Sequence, residues 1–181
     1  VLAQAAVTLD HASGGRFELG IGAGSVPAEL DVFGVRPTAA KDRVDRLTET
    51  LEIVERLWSG EIVDFEGEHF RLCGARQAQV PLGRIPLVIG GVRPRMLELV
   101  RRHADWWNIS VGDFDRFDDL RPLVGDARPS LQQMGTLVTD EDERERVVAQ
   151  AARRYPGLGG ATCVGTPAEI QQDQRVLDAY L

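Results

Sequence analysis

The sequence predicts an α/β protein with a parallel sheet, and three observations carry the prediction. Short strand-like segments alternate with helix-length segments, an order that favours parallel pairing. Leu87-Val88-Ile89 is apolar without alternation, which fits a strand in a sheet covered on both faces. Asp42 to Trp58 repeats Val44, Leu47, Leu51, Val54 and Trp58 at three- and four-residue spacing, the signature of an amphipathic helix.

The elements follow in order. Residues 2–10 read as the end of a helix with Leu2, Ala5, Ala6 and Leu9 on one face, stopped by Ser13, Gly14 and Gly15. The chain begins with Val1 inside this pattern, which predicts that the N-terminus of the natural protein lies further upstream. Phe17 to Ile21 is a short buried strand ending in Gly20-Ile21-Gly22-Ala23-Gly24. Residues 28–33 allow one turn of helix closed by Gly34, and the Asp42–Trp58 helix ends at Gly60. Ile62 to Phe65 and His69 to Leu72, split by Glu66-Gly67-Glu68, predict a β-hairpin. After the Leu87–Ile89 strand, Pro94 opens a helix to about His103, and Trp106 to Val111 is the next strand. Asp113 to Val124 reads as a polar helix, the segment around Ala127 to Ser130 as loop, Met134 to Val138 as a strand and Glu141 to Tyr155 as a helix. Thr166-Pro167-Ala168-Glu169 is a capping box that opens a last helix.

Composition narrows the function. With 181 residues the chain can build one domain with a real core. A net charge of −7 argues against a broad nucleic-acid footprint. No apolar run reaches the ~18 residues that span a membrane, and no signal peptide is visible, so the expectation is a cytoplasmic protein. Cys73 and Cys163 are far apart and form no CxxC, so both are expected to be packed thiols rather than zinc ligands or a disulfide. His11, His69 and His103 show no metal-ligand spacing, and no metal is expected.

Three stretches could carry chemistry. Gly20 to Gly24 at a strand end lets a ligand approach the backbone closely; it could instead be a tight corner with no ligand. A dinucleotide turn needs GxGxxG before a helix, whereas the spacing here is GxGxG followed by Ser25 and Pro27, so an NAD-type dehydrogenase is a weaker alternative. In Gly90-Gly91-Val92-Arg93-Pro94-Arg95 a strand ends and a helix starts at once. Free N–H groups and the helix dipole suit an anion there, with Arg93 and Arg95 adding charge; the other reading is a plain βα turn. In Asp105-Trp106-Trp107-Asn108 the adjacent tryptophans should point to opposite faces, one towards a pocket, or both into packing. Glu29 is the best-placed carboxylate, and no catalytic residue can be assigned.

Together these stretches resemble one family. The run from Leu9 to Gly24, Glu29 with Phe33-Gly34, the helix from Arg43 to Trp58, FEGEHFRL (Phe65 to Leu72), PLVIGG with the following RML and HADWWN, and GTPAEI (Gly165 to Ile170) resemble, in order, the luciferase-like monooxygenase family. The resemblance implies a (β/α)₈ TIM barrel, which needs about 250 residues. This chain would then be a single domain, 1–181, incomplete at both ends, carrying roughly the fourth to seventh strands and an inserted hairpin. The implied function is an oxidoreductase or monooxygenase using coenzyme F-420 or FMN on a small-molecule substrate, and the arginine-rich composition leans towards the deazaflavin. The resemblance implies that Gly22, Ala23, Gly24 and Ser25 line the ring or ribityl chain, and that Gly90, Gly91, Val92 and Arg93 hold the phosphate. Val92 and Arg93 stand where relatives often carry a small polar residue, which leaves the backbone N–H groups as donors. A non-catalytic, degenerate flavin-binding relative is the second reading. Open sheet edges predict a homodimer or aggregation.

Overall fold

A computed structural model describes residues 1–24, 27–36, 38–132 and 141–154. Its centre is a four-stranded, all-parallel sheet in the order β1-β4-β5-β6: β1 (Leu19–Ile21), β4 (Leu87–Gly90), β5 (Trp106–Ser110) and β6 (Arg128–Gln132). A separate antiparallel pair, β2 (Val63–Glu66) and β3 (Arg71–Ala75), forms the hairpin. The helices are α1 (Leu2–Ser13), α2 (Pro27–Val32), α3 (Ala40–Trp58), α4 (Pro94–His103), α5 (Phe117–Leu120) and α6 (Arg144–Arg154).

Local chemistry explains the boundaries. α1 stops at Gly14, whose φ of 65° is left-handed; the N–H groups of Gly14 and Gly15 donate to the carbonyls of His11 and Asp10. α4 starts on Pro94, whose missing N–H is no loss in a first turn. Three basic residues, Arg101, Arg102 and His103, close it where the helix dipole favours them.

The core lies on one face of the sheet. Leu19, Leu87, Ile89, Trp107 and Ile109 from the strands pack with Ala6 and Val7 of α1, Leu47 and Leu51 of α3, and Met96, Leu97, Leu99 and Val100 of α4. Each fully buried Leu or Ile contributes about 1.5–3 kcal/mol. Polar bonds align the elements. The Asp105 carboxylate accepts from the Leu87 N–H at 2.9 Å and from Nε and Nη2 of Arg84 at 2.9 and 3.2 Å. These bonds tie the starts of β4 and β5 together, so their register brings Gly90 opposite Asn108 at the other end. His103, buried in α4, meets Glu55 of α3 at 2.9 Å.

The structure corrects four expectations. Arg128 to Gln132, including most of the expected loop, is strand β6 and pairs with β5. Its Pro129 is tolerated because, among the described residues, β6 is an edge strand. The hairpin strands lie one to three residues later than expected, because the Glu49 carboxylate accepts from the N–H groups of Glu68, His69 and Phe70 at 2.7, 3.0 and 3.0 Å. Those three residues therefore form the turn. Asp113 to Val124 is a short α5 between two 3₁₀ turns, with Pro122 and Gly125 interrupting a longer helix. Cys73 is exposed on β3 rather than packed. Ser25, the Met134–Val138 strand, Tyr155, Cys163 and the Thr166–Glu169 capping box lie outside the described residues. Among the described residues no helix is long and apolar enough to cross a membrane, and no cluster of potential metal ligands occurs.

Candidate functional site at one edge of the sheet

Parallel strands end on the same side, so register decides which residues meet there. Ile21 pairs with Ile89, Gly90 with Asn108, and Asn108 with Ser130. Gly22, Ala23 and Gly24 leave β1 on the edge from which Gly91, Val92 and Arg93 leave β4, and the two strands are neighbours. The structure thus places the two predicted clusters at the same end of neighbouring parallel strands. Glu29 falls in α2.

The pleat separates two faces. Leu87, Ile89, Trp107 and Ile109 point into the helix layer and are buried. The other face carries Gly20, Val88, Trp106 and Arg128 in one row, and Gly90, Asn108 and Ser130 in the next. None of these is among the buried residues. At Gly20 and Gly22 an added side chain would meet open space, whereas at Gly90 it would come within 3.2 Å of the Asn108 carbonyl oxygen. A flat group could approach the backbone closely at Gly20 and Gly22. The Asn108 amide donates to Ser130, at 3.4 Å to its carbonyl and 3.5 Å to its hydroxyl, which fixes which end of the carboxamide faces β6.

The tryptophans divide as expected. Trp107 enters the core, where its ring stacks on Phe117 at 5.8 Å. Trp106 lies on the open face, but the Arg128 guanidinium already covers it at 4.0 Å from the ring centroid.

At the βα turn, Gly91 has a φ of 127°, and a Cβ there would sit 2.9 Å from that of Met96. No other residue fits without moving α4. Its N–H is not free: it donates to the Asn108 carbonyl at 3.4 Å. Its carbonyl accepts from the Trp107 indole at 3.0 Å. Val92 is half-buried and packs against the core, and Arg93 is exposed at the N-cap of α4 with no side-chain cap. The donors that remain belong to Val92, Arg93 and the first turn of α4, where helix geometry supplies no partner. Arg95 does not join them, because it is ion-paired with Asp45 of α3. Asp45 also accepts from Lys41 at 2.8 Å, and the two cations, Lys41 first, hold its carboxyl below the usual range. Sequence reasoning named Asn108 only as part of the tryptophan stretch and missed Ser130, because only strand register places Asn108 beside Gly90 and Ser130 beside Asn108.

Residues 1–156 match the luciferase-like monooxygenase family. The chain belongs to this family. It is 33% identical over 158 residues to an F420-dependent glucose-6-phosphate dehydrogenase of Nakamurella multipartita, covering 82% of this chain and 46% of that protein. The chain thus spans about half the length of the relatives it matches. Among solved structures, an F420-dependent secondary alcohol dehydrogenase in complex with an F420-acetone adduct shares the fold, with a TM-score of 0.66 at 22% identity over 99% of this chain and 60% of that one. The oxygenating constituent of 3,6-diketocamphane monooxygenase from Pseudomonas putida, in complex with FMN, gives a TM-score of 0.62 at 18% identity over 97% and 54%. The family match stops before GTPAEI. Residues 163–181 also match a model of the branched-chain amino acid ATP-binding cassette transporter, while an F420-dependent glucose-6-phosphate dehydrogenase of Amycolatopsis mediterranei aligns with 97% of this chain at 31% identity, covering 52% of that protein.

Proposed function

We propose that this chain supplies the cofactor-binding part of an oxidoreductase that uses coenzyme F-420, or failing that FMN, on a small organic substrate. The observation that carries the reading is the shared sheet edge: in a member of this family, Gly22–Gly24 and Gly90–Arg93 leave neighbouring parallel strands at the same end, beside the open backbone at Gly20 and Gly22. Both cofactors are flat ring systems with a phosphate on a flexible arm, and the residues suit both parts. The glycines leave room for the ring. The N–H groups of Val92 and Arg93, the α4 dipole and the Arg93 guanidinium suit the phosphate.

When bound, either cofactor supplies hydride or electron transfer, and the protein supplies position and electrostatics. Asn108 offers a fixed carboxamide at the edge, and Trp107 with its helix layer keeps water from the back of the sheet. The reading includes a single barrel domain in which β1, β4, β5 and β6 are consecutive strands, supported by helices packing on one sheet face only. The deazaflavin stands first because the most extensive resemblance described above is to an F420-dependent dehydrogenase. FMN stands second because a protein of the same fold binds it.

Fluorescence titration of the chain with each cofactor tests the proposal. Binding of one is expected, and Arg93→Ala should weaken it about fivefold to tenfold by removing a charge-assisted contact. If neither cofactor binds, the proposal fails; if Arg93→Ala binds as the unmodified chain does, Arg93 leaves the site.

A further inference from the structure

We infer that the buried indole of Trp107 is a positioning residue for anion recognition, because it sets the direction of the Gly91–Val92 peptide; the inference rests on the cofactor reading above. An indole N–H can only donate, so it must meet a carbonyl or another acceptor. In Trp107 it donates to the Gly91 carbonyl at 3.0 Å, and the ring is held by complete burial and by the stack on Phe117. The neighbouring residue of β5, Asn108, takes the Gly91 N–H through its own carbonyl. One strand therefore grips Gly91 by both polar groups.

The peptide joining Gly91 to Val92 is trans, so its carbonyl and its N–H point in opposite directions. Fastening the carbonyl to an indole on the helix-covered face turns the Val92 N–H towards the opposite side, where Gly90 and Asn108 lie open. A peptide flip would put a carbonyl oxygen there, and an anion would meet repulsion instead of a donor. Gly91 leaves β4 with a φ of 127°, a conformation that residues with side chains rarely adopt. No phosphate-binding hydroxyl is present in Gly90-Gly91-Val92-Arg93, so the direction of this one peptide counts for more than it would beside a serine.

The test compares each cofactor with its phosphate-free form: FMN with riboflavin, and coenzyme F-420 with its deazaflavin alcohol. The 181-residue chain and Trp107→Phe are titrated with both members of each pair. Phenylalanine keeps the stack and removes the N–H. The preference for the phosphorylated form should fall about fivefold to tenfold in the variant, with affinity for the phosphate-free form unchanged. Equal weakening of both forms would mean that Trp107 only supports the core, and the inference falls. An unmodified chain with no preference for phosphate would overturn the cofactor reading itself, which is a different failure. A measurement on the unmodified ¹⁵N-labelled chain guards against a variant that does not fold. The Trp107 indole proton should exchange slowly, and the Val92 amide should shift with inorganic phosphate. Rapid indole exchange, or a Val92 amide indifferent to phosphate, overturns the inference without any substitution.

Discussion

At Gly91 two demands meet in one residue. The backbone needs a φ that other residues rarely adopt, and α4 leaves no room for a side chain beside Met96. Gly91→Ala should therefore cost about 1–3 kcal/mol of stability, read from urea unfolding; a loss under a few tenths would show that α4 shifts freely. A charged substitution at Gly91 would report this crowding rather than repulsion of a phosphate. Arg93 is the better probe of charge, being exposed and outside the packing. The glycines and Arg93 were legible in the sequence because conformational and charge demands are written in residue type. What Gly91 bonds to was not legible, since its partners Trp107 and Asn108 come from a different strand and only pairing reveals them.

Between elements, α3 and α4 are joined near their N-termini by Arg95 and Asp45, with Lys41 as second partner. The folded Asp45 carboxyl sits below its ordinary value, so it stays ionised where the unfolded one protonates. Its stabilising effect is present above the unfolded value of ~3.9 and is lost as pH falls through the folded value. The gap in melting temperature between the unmodified chain and Asp45→Asn should accordingly be small but measurable at pH 6 and narrow progressively as pH falls below ~3.9. A gap that does not narrow on acidification would show that the pair is not its source. The same scale explains which elements the sequence hid. α3 and α4 declare themselves through apolar spacing. β6 does not, because Arg-Pro-Ser-Leu-Gln has neither alternation nor an apolar run, and only the β5 ladder makes it a strand. The hairpin was recognisable, but its turn is set by Glu49, a residue of another element that local pattern cannot report.

For the whole molecule, the alternation of elements was enough to give a parallel α/β sheet, while the closed barrel remains part of the proposal. Among the described residues β1 and β6 each pair on one side only, and one sheet face lacks a helix layer. The isolated 181-residue chain is expected to associate through these edges, as a dimer or larger species in concentration-dependent light scattering. A monodisperse monomer with a cooperative melt would contradict this. Lys41 has a practical consequence of its own. It is the one lysine in the sequence, and its ammonium group is bonded to the carboxylate that also holds Arg95. An amine-directed acylating reagent thus has one side-chain target in the whole chain, and the mass added there marks the start of α3. Acylation would neutralise that ammonium and leave Arg95 as the sole cation on Asp45, so the conjugation handle and the joint between the two helices are the same few atoms.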